Sequence, residues 1–468
     1  RYDPRKLKHV AELLKPYVYA PDASRRIRQL YGDTLNYLSH AQPLEQGVAT
    51  CDEARKVLET LGATKLADLD AAASYADTAD SEARFLLTLG RVDEARRLEQ
   101  QVYDLADKLL TQRPGALHSM ADRSYASELL SAIAMRQHDD AAAADYAART
   151  MRSGEDEIRF NPSDLGAWAR WSIGYQALGI VQFEHGDVAK SIATLRAMVA
   201  LEQDPRRPSS IAPVVWFLRF PLIDEQAQSG DAAGAVQSMK GSLRDSAEYV
   251  AQLAPDDPKR PLFSFRGQGQ ASRLQLAAGD AQGALANATT VLSGIEAVKV
   301  PNDAPDAVLA KRNVLDGALG IATPAAVRLG HYAQAETLAR QWLALPLNRN
   351  SYDDLRSHSS LIRALLAHAL AGQGRLDEAR ATLQPALDWY RLDLKAGAQG
   401  TTFRHDFAYA LYVDAISQAV DAAGASQRSA DLAEAQAQID GASDEVKRLV
   451  DLRLVADWIA AARASKGG

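Results

Sequence analysis

GRVDEA at residues 90–95, GDAAGA at 230–235, GDAQGA at 279–284, GHYAQA at 330–335 and GRLDEA at 374–379 share one pattern, Gly-x-x-x-x-Ala. Two looser copies, HDDAAA at 138–143 and GDVAKS at 186–191, fill the interval between the first and the second. Their first residues are spaced by 48, 48, 44, 49, 51 and 44 positions. Self-similarity at such a period marks a stack of like supersecondary units rather than a set of independent cores.

Each copy follows an apolar, helix-patterned stretch. The Gly therefore falls where a helix must stop and a left-handed backbone costs least. The Asp, Glu or Gln behind it suits the first turn of a second helix, where free N–H groups attract acceptors and negative charge. The small Ala then sits where the second helix crosses the first, and a bulkier side chain would force the pair apart. The repeating unit is a helical hairpin.

On these residues the chain resembles the tetratricopeptide repeat (TPR) family. Leu178 and Gly179 before Ser191, with Leu195 after it, match the family's pattern, as do Leu366, Ala367 and Leu370 before Ala379, with Leu383 and Ala386 after it. Glu82, Gln226 and Gln275 stand where the family carries large apolar side chains. The spacing also exceeds the family's period of about 34 residues, which calls for longer helices or connections. The resemblance spans residues 25–440. It implies an all-α, right-handed superhelical solenoid of antiparallel helical hairpins, eight or nine in number.

The expected organisation is a single solenoid over 1–468: irregular N-terminal helices at 1–62, core repeats at 63–400 and capping helices at 401–468. The first helix, KLKHVAELLK, is expected to end at Pro16, because proline cannot continue a helix. Breaker-rich segments at 112–115, 204–213, 255–261 and 300–305 read as corners between repeats. After residue 400 the signature stops, and helices are expected at 403–424, 429–440 and 444–464.

Of the 468 residues, 47% are hydrophobic and 24% charged, enough apolar surface for burial and far from a disordered composition. The abundant Ala suits close helix packing. A net charge of −7 argues against a nucleic-acid surface, which needs concentrated Lys and Arg. The single cysteine, Cys51, permits neither an intrachain disulfide nor a cysteine metal cage, and its acidic neighbours Asp52 and Glu53 oppose thiolate formation, so it reads as structural. No apolar run is long enough to span a bilayer. These features favour a cytoplasmic location and are compatible with a periplasmic one. The start at Arg1, without Met or a signal pattern, is what a piece of a longer protein would show.

No catalytic constellation emerges, and no metal or cofactor is expected. His-x-x-x-His pairs, Walker-type loops and Gly-rich dinucleotide loops are all missing from the sequence. Trp168 and Trp171, spaced i, i+3, read as core anchors. An enzymatic alternative is a closed toroid of helical hairpins with glycosidase-like acids, which would need two carboxylates converging across a cleft.

Stacked hairpins leave a concave face lined by the first helix of each pair. Counted back from each marker Ala in the family's register, its inward residues are Arg84, Glu128, Asp224, Arg266, Arg273, Arg328 and His368, with Tyr125, Phe183 and Phe217 on the same surface. Arg offers bidentate geometry to carboxylates. The expected function is therefore a non-catalytic protein-interaction scaffold that holds a partner segment, acidic in character, as the interaction or sensor part of a larger bacterial regulator. The Lys and Asn clamp of chaperone-binding relatives is absent, because Glu128, Gln176, Phe220, Gly269, Gly320 and Ala364 occupy those places. The alternative in the binding class is a small-molecule receptor with a partly apolar cavity near Trp216 and Phe217.

Overall fold

The computed structural model describes residues 3–208, 219–301, 305–345, 355–419 and 421–464, and every regular element among them is helical. Two compact units are present. Unit 1 comprises Arg1–Leu178, Asp204–Pro208 and Arg349–Leu355, and unit 2 comprises Gly179–Gln203, Ser209–Asn348 and Arg356–Gly468.

Unit 1 is built from α1 (Pro4–Val18), α2 (Arg25–Ser39), α3 (Leu44–Glu59), α4 (Leu69–Thr88), α5 (Val92–Gln112), α6 (Leu117–Arg136), α7 (Asp140–Phe160) and the first part of α8 (Leu165–His185). Unit 2 contains the end of α8, then α9 (Val188–Ala200), α10 (Phe220–Gln228), α11 (Ala232–Gln252), α12 (Lys259–Ala277), α13 (Ala281–Ala297), α14 (Pro305–Arg328) and α15 (Tyr332–Leu343). It continues with α16 (Leu355–Gly372), α17 (Leu376–Ala396), α18 (Thr401–Ser417), α19 (Ala422–Asp440), α20 (Asp444–Lys447) and α21 (Val450–Ala464). From α2/α3 to α18/α19 the described helices form nine hairpins. First helices of successive hairpins touch one another, α2 to α4 to α6 in unit 1 and α10 to α12 to α14 in unit 2. That side-by-side contact makes a TPR-like array.

The signature works as its chemistry predicts. The six glycines that open it have φ between 71° and 93°, the left-handed region. At each corner two hydrogen bonds close the preceding helix. Gly90 N–H donates to Leu87 O (3.0 Å) and Arg91 N–H to Leu86 O (2.9 Å), a Schellman arrangement repeated at Gly374 and Arg375 with Ala371 and Leu370. His138 holds the same place at φ 59°, and Asp139 N–H still reaches Ala134 O (2.9 Å), so the motif survives without glycine. The next residue caps the second helix: Asp139, Asp231 and Asp280 accept from the N–H of Ala142, Gly234 and Gly283. Every marker Ala, and Ser191 in the looser copy, is fully buried.

The polar replacements of the family pattern are paired in the structure. Glu82 is buried and accepts two hydrogen bonds from Arg55 (2.7 and 3.1 Å), Gln226 bonds Ser238 (2.8 Å), and Asn287 donates to Gln275 (2.7 Å). Ser238 and Asn287 lie on the second helix of the same hairpin and Arg55 on that of the preceding one, so hydrogen bonds replace apolar contacts between packed helices. Trp168 and Trp171 are buried as expected, with Trp168 Nε1 donating to Pro162 O (2.9 Å). Several boundaries differ from expectation: the helix expected at 403–424 ends at Ser417, and the one expected at 444–464 is two helices, Asp444–Lys447 and Val450–Ala464. Helix α1 runs past Pro16 to Val18, whose side chain is buried with Tyr31 and Val57, and α19 starts at residue 422 because Asp421 caps it at Gly424.

The segment beyond residue 400 returns to the beginning of unit 2. Thr401 Oγ1 donates to Phe183 O (2.6 Å) and Thr402 N–H to Glu184 (3.1 Å). Ser443 Oγ donates to Gly186 O (3.1 Å), and Ala189 N–H to Glu445 (2.9 Å). Helix α20 thereby rests on α9, while α21 packs on α10, α18 and α19.

Candidate functional site

Within unit 2, first helices α10, α12, α14, α16 and α18, second helix α15 and the closing helix α21 line an open cavity of about 270 Å³. Its character comes from two ion pairs and two indoles. Arg273 Nη1 donates to Asp224 (2.6 Å), and Arg328 Nη2 donates to Asp451 (2.6 Å). Gln228 grips Asp451 from both ends, donating to its carboxylate (2.6 Å) and accepting from its N–H (3.0 Å). Arg328 also donates to Leu276 O (3.1 Å), which fixes its guanidinium at the wall. Trp342, anchored through Nε1 to Asp316 (2.7 Å), and Trp458 supply apolar surface.

Burial pushes the Asp224 carboxyl up, against the pull of Arg273 and with a further push from the charge of Asp451. The two acids of the cavity therefore sense each other. His405 at the margin is drawn down by burial, but its 2.7 Å hydrogen bond and charge interaction with Asp406 outweigh this and hold it above the ordinary histidine range.

Of the residues read from the sequence as inward-facing, the structure brings Asp224, Arg273 and Arg328 to this one cavity. His368 lies behind its wall, buried, with Nδ1 2.9 Å from the Tyr409 hydroxyl and its ring against Tyr332, Tyr412 and Trp458. That surrounding depresses its pKa to about 4. Arg266 is not a cavity residue: its guanidinium lies 5.3 Å over the Phe220 ring, and burial lowers its pKa to about 10. The first residue of α10 packs over the side chain that the family's register assigns to the open concave face.

Arg84 and Glu128 belong to unit 1, where Arg84 bonds Asp80 (2.9 Å) and lies 3.7 Å from Glu128, both side chains largely buried. Tyr125 is exposed in unit 1 with Arg170 over its ring, and Phe183 takes part through its carbonyl in the closure of unit 2. Phe217 and Trp216 lie outside the described residues.

Sequence reasoning missed Gln228, Trp342, Trp458 and Asp451. The last two come from α21, which carries no repeat signature. Its only sequence signal was an amphipathic pattern following the final hairpin.

No family model and no curated protein matches the chain. Among solved structures, it is similar to yeast Tom70 at 12% identity, over 99% of this chain and 94% of that one, with a TM-score of 0.34. It is similar to a circular tandem repeat protein at 13% identity, over 99% and 98%, with a TM-score of 0.26. It is also similar to the P58(IPK) TPR domain at 13% identity, over 98% and 99%, with a TM-score of 0.20. The TPR-like assignment of the architecture rests on the hairpin geometry itself. No helix among the described residues is long and apolar enough to cross a membrane.

Proposed function

We propose that the chain is a non-catalytic interaction scaffold whose recognition site is the unit 2 cavity, and that it receives there the carboxylate end of a protein partner. The observation that carries this reading is the pairing of Arg273 with Asp224 beside indole surface. Arg273 keeps 44% of its side chain exposed while bound at 2.6 Å. A guanidinium in that position exchanges one carboxylate for another with bidentate geometry, and Asp224 is left to accept a ligand N–H or cation. Trp342 and Trp458 then cover an adjoining apolar group. Both cavity acids are engaged by arginines, an arrangement suited to holding charge rather than to the acid and base pair of the toroid alternative. Within a larger bacterial regulator, such a site would serve as the interaction or sensor part.

A second reading, a receptor for a free small carboxylate, is favoured by the cavity's size. At about 270 Å³ it falls just below the roughly 300–1,000 Å³ of pockets for larger ligands, a size suited to a small carboxylate.

Calorimetry with short peptides ending in a free carboxylate, and with the same peptides amidated, tests the site. Binding of the free acids, lost on amidation and weakened at least about tenfold by Arg273→Gln, supports the partner reading; tenfold corresponds to about 1.4 kcal/mol. Binding of free amino acids or short carboxylates but of no peptide selects the receptor. Equal binding by Arg273→Gln in every case removes the cavity from consideration.

A further inference from the structure

Unit 1 carries a polar cluster that the binding reading does not use. Asp77 projects from α4, and His118 and Asp122 project from α6, four residues apart and so on one helical face. Nε2 of His118 lies 3.1 Å from Asp77 Oδ2 and 3.9 Å from Asp122 Oδ1. One donor atom from each residue lies within 4.8 Å of the other two. The side-by-side packing of first helices α4 and α6 creates this group, since Asp77 is distant from the other two in sequence.

Asp122 sets the cluster apart from an ordinary solvated acidic patch. It is 6% exposed, and its Oδ2 is buried with no hydrogen-bond partner. A buried oxygen without a partner is destabilising unless a ligand meets it. Burial first, then the charge of Asp77, raises the Asp122 carboxyl well above its ordinary range, with Asp80 adding to the repulsion and His118 opposing it. Around His118 stand Asp77, Asp122 and the more distant cation Arg170, which is itself bonded to Glu157 and Asp164. The hydrogen bond to Asp77 raises His118 to about 9, so the imidazolium is the positive charge of the cluster and a metal ion would take the place of its proton.

We propose that Asp77, His118 and Asp122 form a binding site for a divalent transition-metal ion of the zinc class. Imidazole with two carboxylates suits zinc better than the all-oxygen sets preferred by magnesium and calcium. Tetrahedral bonds of about 2.0–2.2 Å place neighbouring donors about 3.3–3.6 Å apart, and the observed 3.1 and 3.9 Å straddle that spacing. Three protein ligands leave a fourth position open. The Asp77 and His118 side chains are 45% and 55% exposed, so that position faces solvent. His118 also borders a second cavity, of about 370 Å³, lined by Arg25, Arg113 and Ser119. A metal-bound water or anion would sit at its edge.

The test uses the full chain, stripped with a chelator and titrated with Zn²⁺ by calorimetry and with Co²⁺ by visible absorption. The expected result is one Zn²⁺ per chain and cobalt ligand-field bands. Affinity should fall at least about tenfold in His118→Ala and in Asp77→Asn, while circular dichroism is unchanged. Asp77 is half-exposed, so its variant keeps the test valid even if a change at buried Asp122 disturbs folding. No saturable Zn²⁺ binding, or binding that both variants retain at full strength, overturns the proposal.

Discussion

Asp451 follows Arg328 by 123 residues and accepts a hydrogen bond from its Nη2 at 2.6 Å. With Gln228 on the other side of the same carboxylate, this contact ties α21 to the first helices of unit 2. Both side chains are mostly shielded, at 16% and 32% exposure, so the pair is not a screened surface bridge. Asp451→Asn should lower unit 2 stability by roughly 1.5–3 kcal/mol, the range for hydrogen bonds to charged groups. The measurement is urea denaturation combined with hydrogen exchange, in which residues 450–464 lose protection first. Unchanged exchange there would mean that apolar packing alone seats the helix.

Two glycines of one hairpin should respond in opposite directions to the same substitution. Gly279 has φ 87° and open space where an added methyl would sit, so Gly279→Ala carries only the left-handed penalty, about 1–2 kcal/mol of destabilisation. Gly269 lies within α12 with nothing within 4 Å of an added Cβ, and Gly269→Ala should stabilise by about 0.5–1 kcal/mol. Thermal and urea midpoints of the two variants check the signs.

Local requirements were legible in the sequence, and long-range ones were not. A left-handed corner and a small residue at a helix crossing leave marks within six residues, which is why all seven copies fell on hairpins. Arg266 is assigned inward by the family's register, which gives the face of a helix but not what packs over it, here Phe220. Asp451 and Trp458 reach the cavity only through the return of α21, a docking of surfaces far apart in sequence. The metal-type cluster was half visible: His118-x-x-x-Asp122 is a one-face spacing, but Asp77 joins it only once hairpins stack.

Cys51 is fully buried in unit 1, and burial pushes its thiol up to about 12 despite a hydrogen bond involving Ser39. Thiol–disulfide reagents react through the thiolate, so native protein at neutral pH should label far more slowly than urea-unfolded protein. The labelling rate should follow unfolding of unit 1 as denaturant rises. Rapid labelling of the native chain would show that α3 opens locally at Cys51.

Glu225 should give unit 2 an unusual pH dependence. Its side chain is buried, its Oε2 has no hydrogen-bond partner, and burial, together with the charges of Asp224 and Glu184, raises its pKa to about 8 against a hydrogen bond from Ser191. The folded state therefore holds a proton that the unfolded state releases near pH 4.5. The stabilisation is complete below that value and is lost as pH rises toward 8. His368 acts in the other direction. Its folded pKa of about 4 lies below the unfolded 6.5, so stability falls as pH drops between those values. Glu225→Gln removes the first effect and keeps the second. Its urea midpoint should approach the wild type's near pH 4, exceed it by a widening margin up to pH 8, and still decline from pH 6.5 toward pH 4. A variant less stable than wild type at pH 8 would show that the carboxylate is ionised and satisfied in the folded protein.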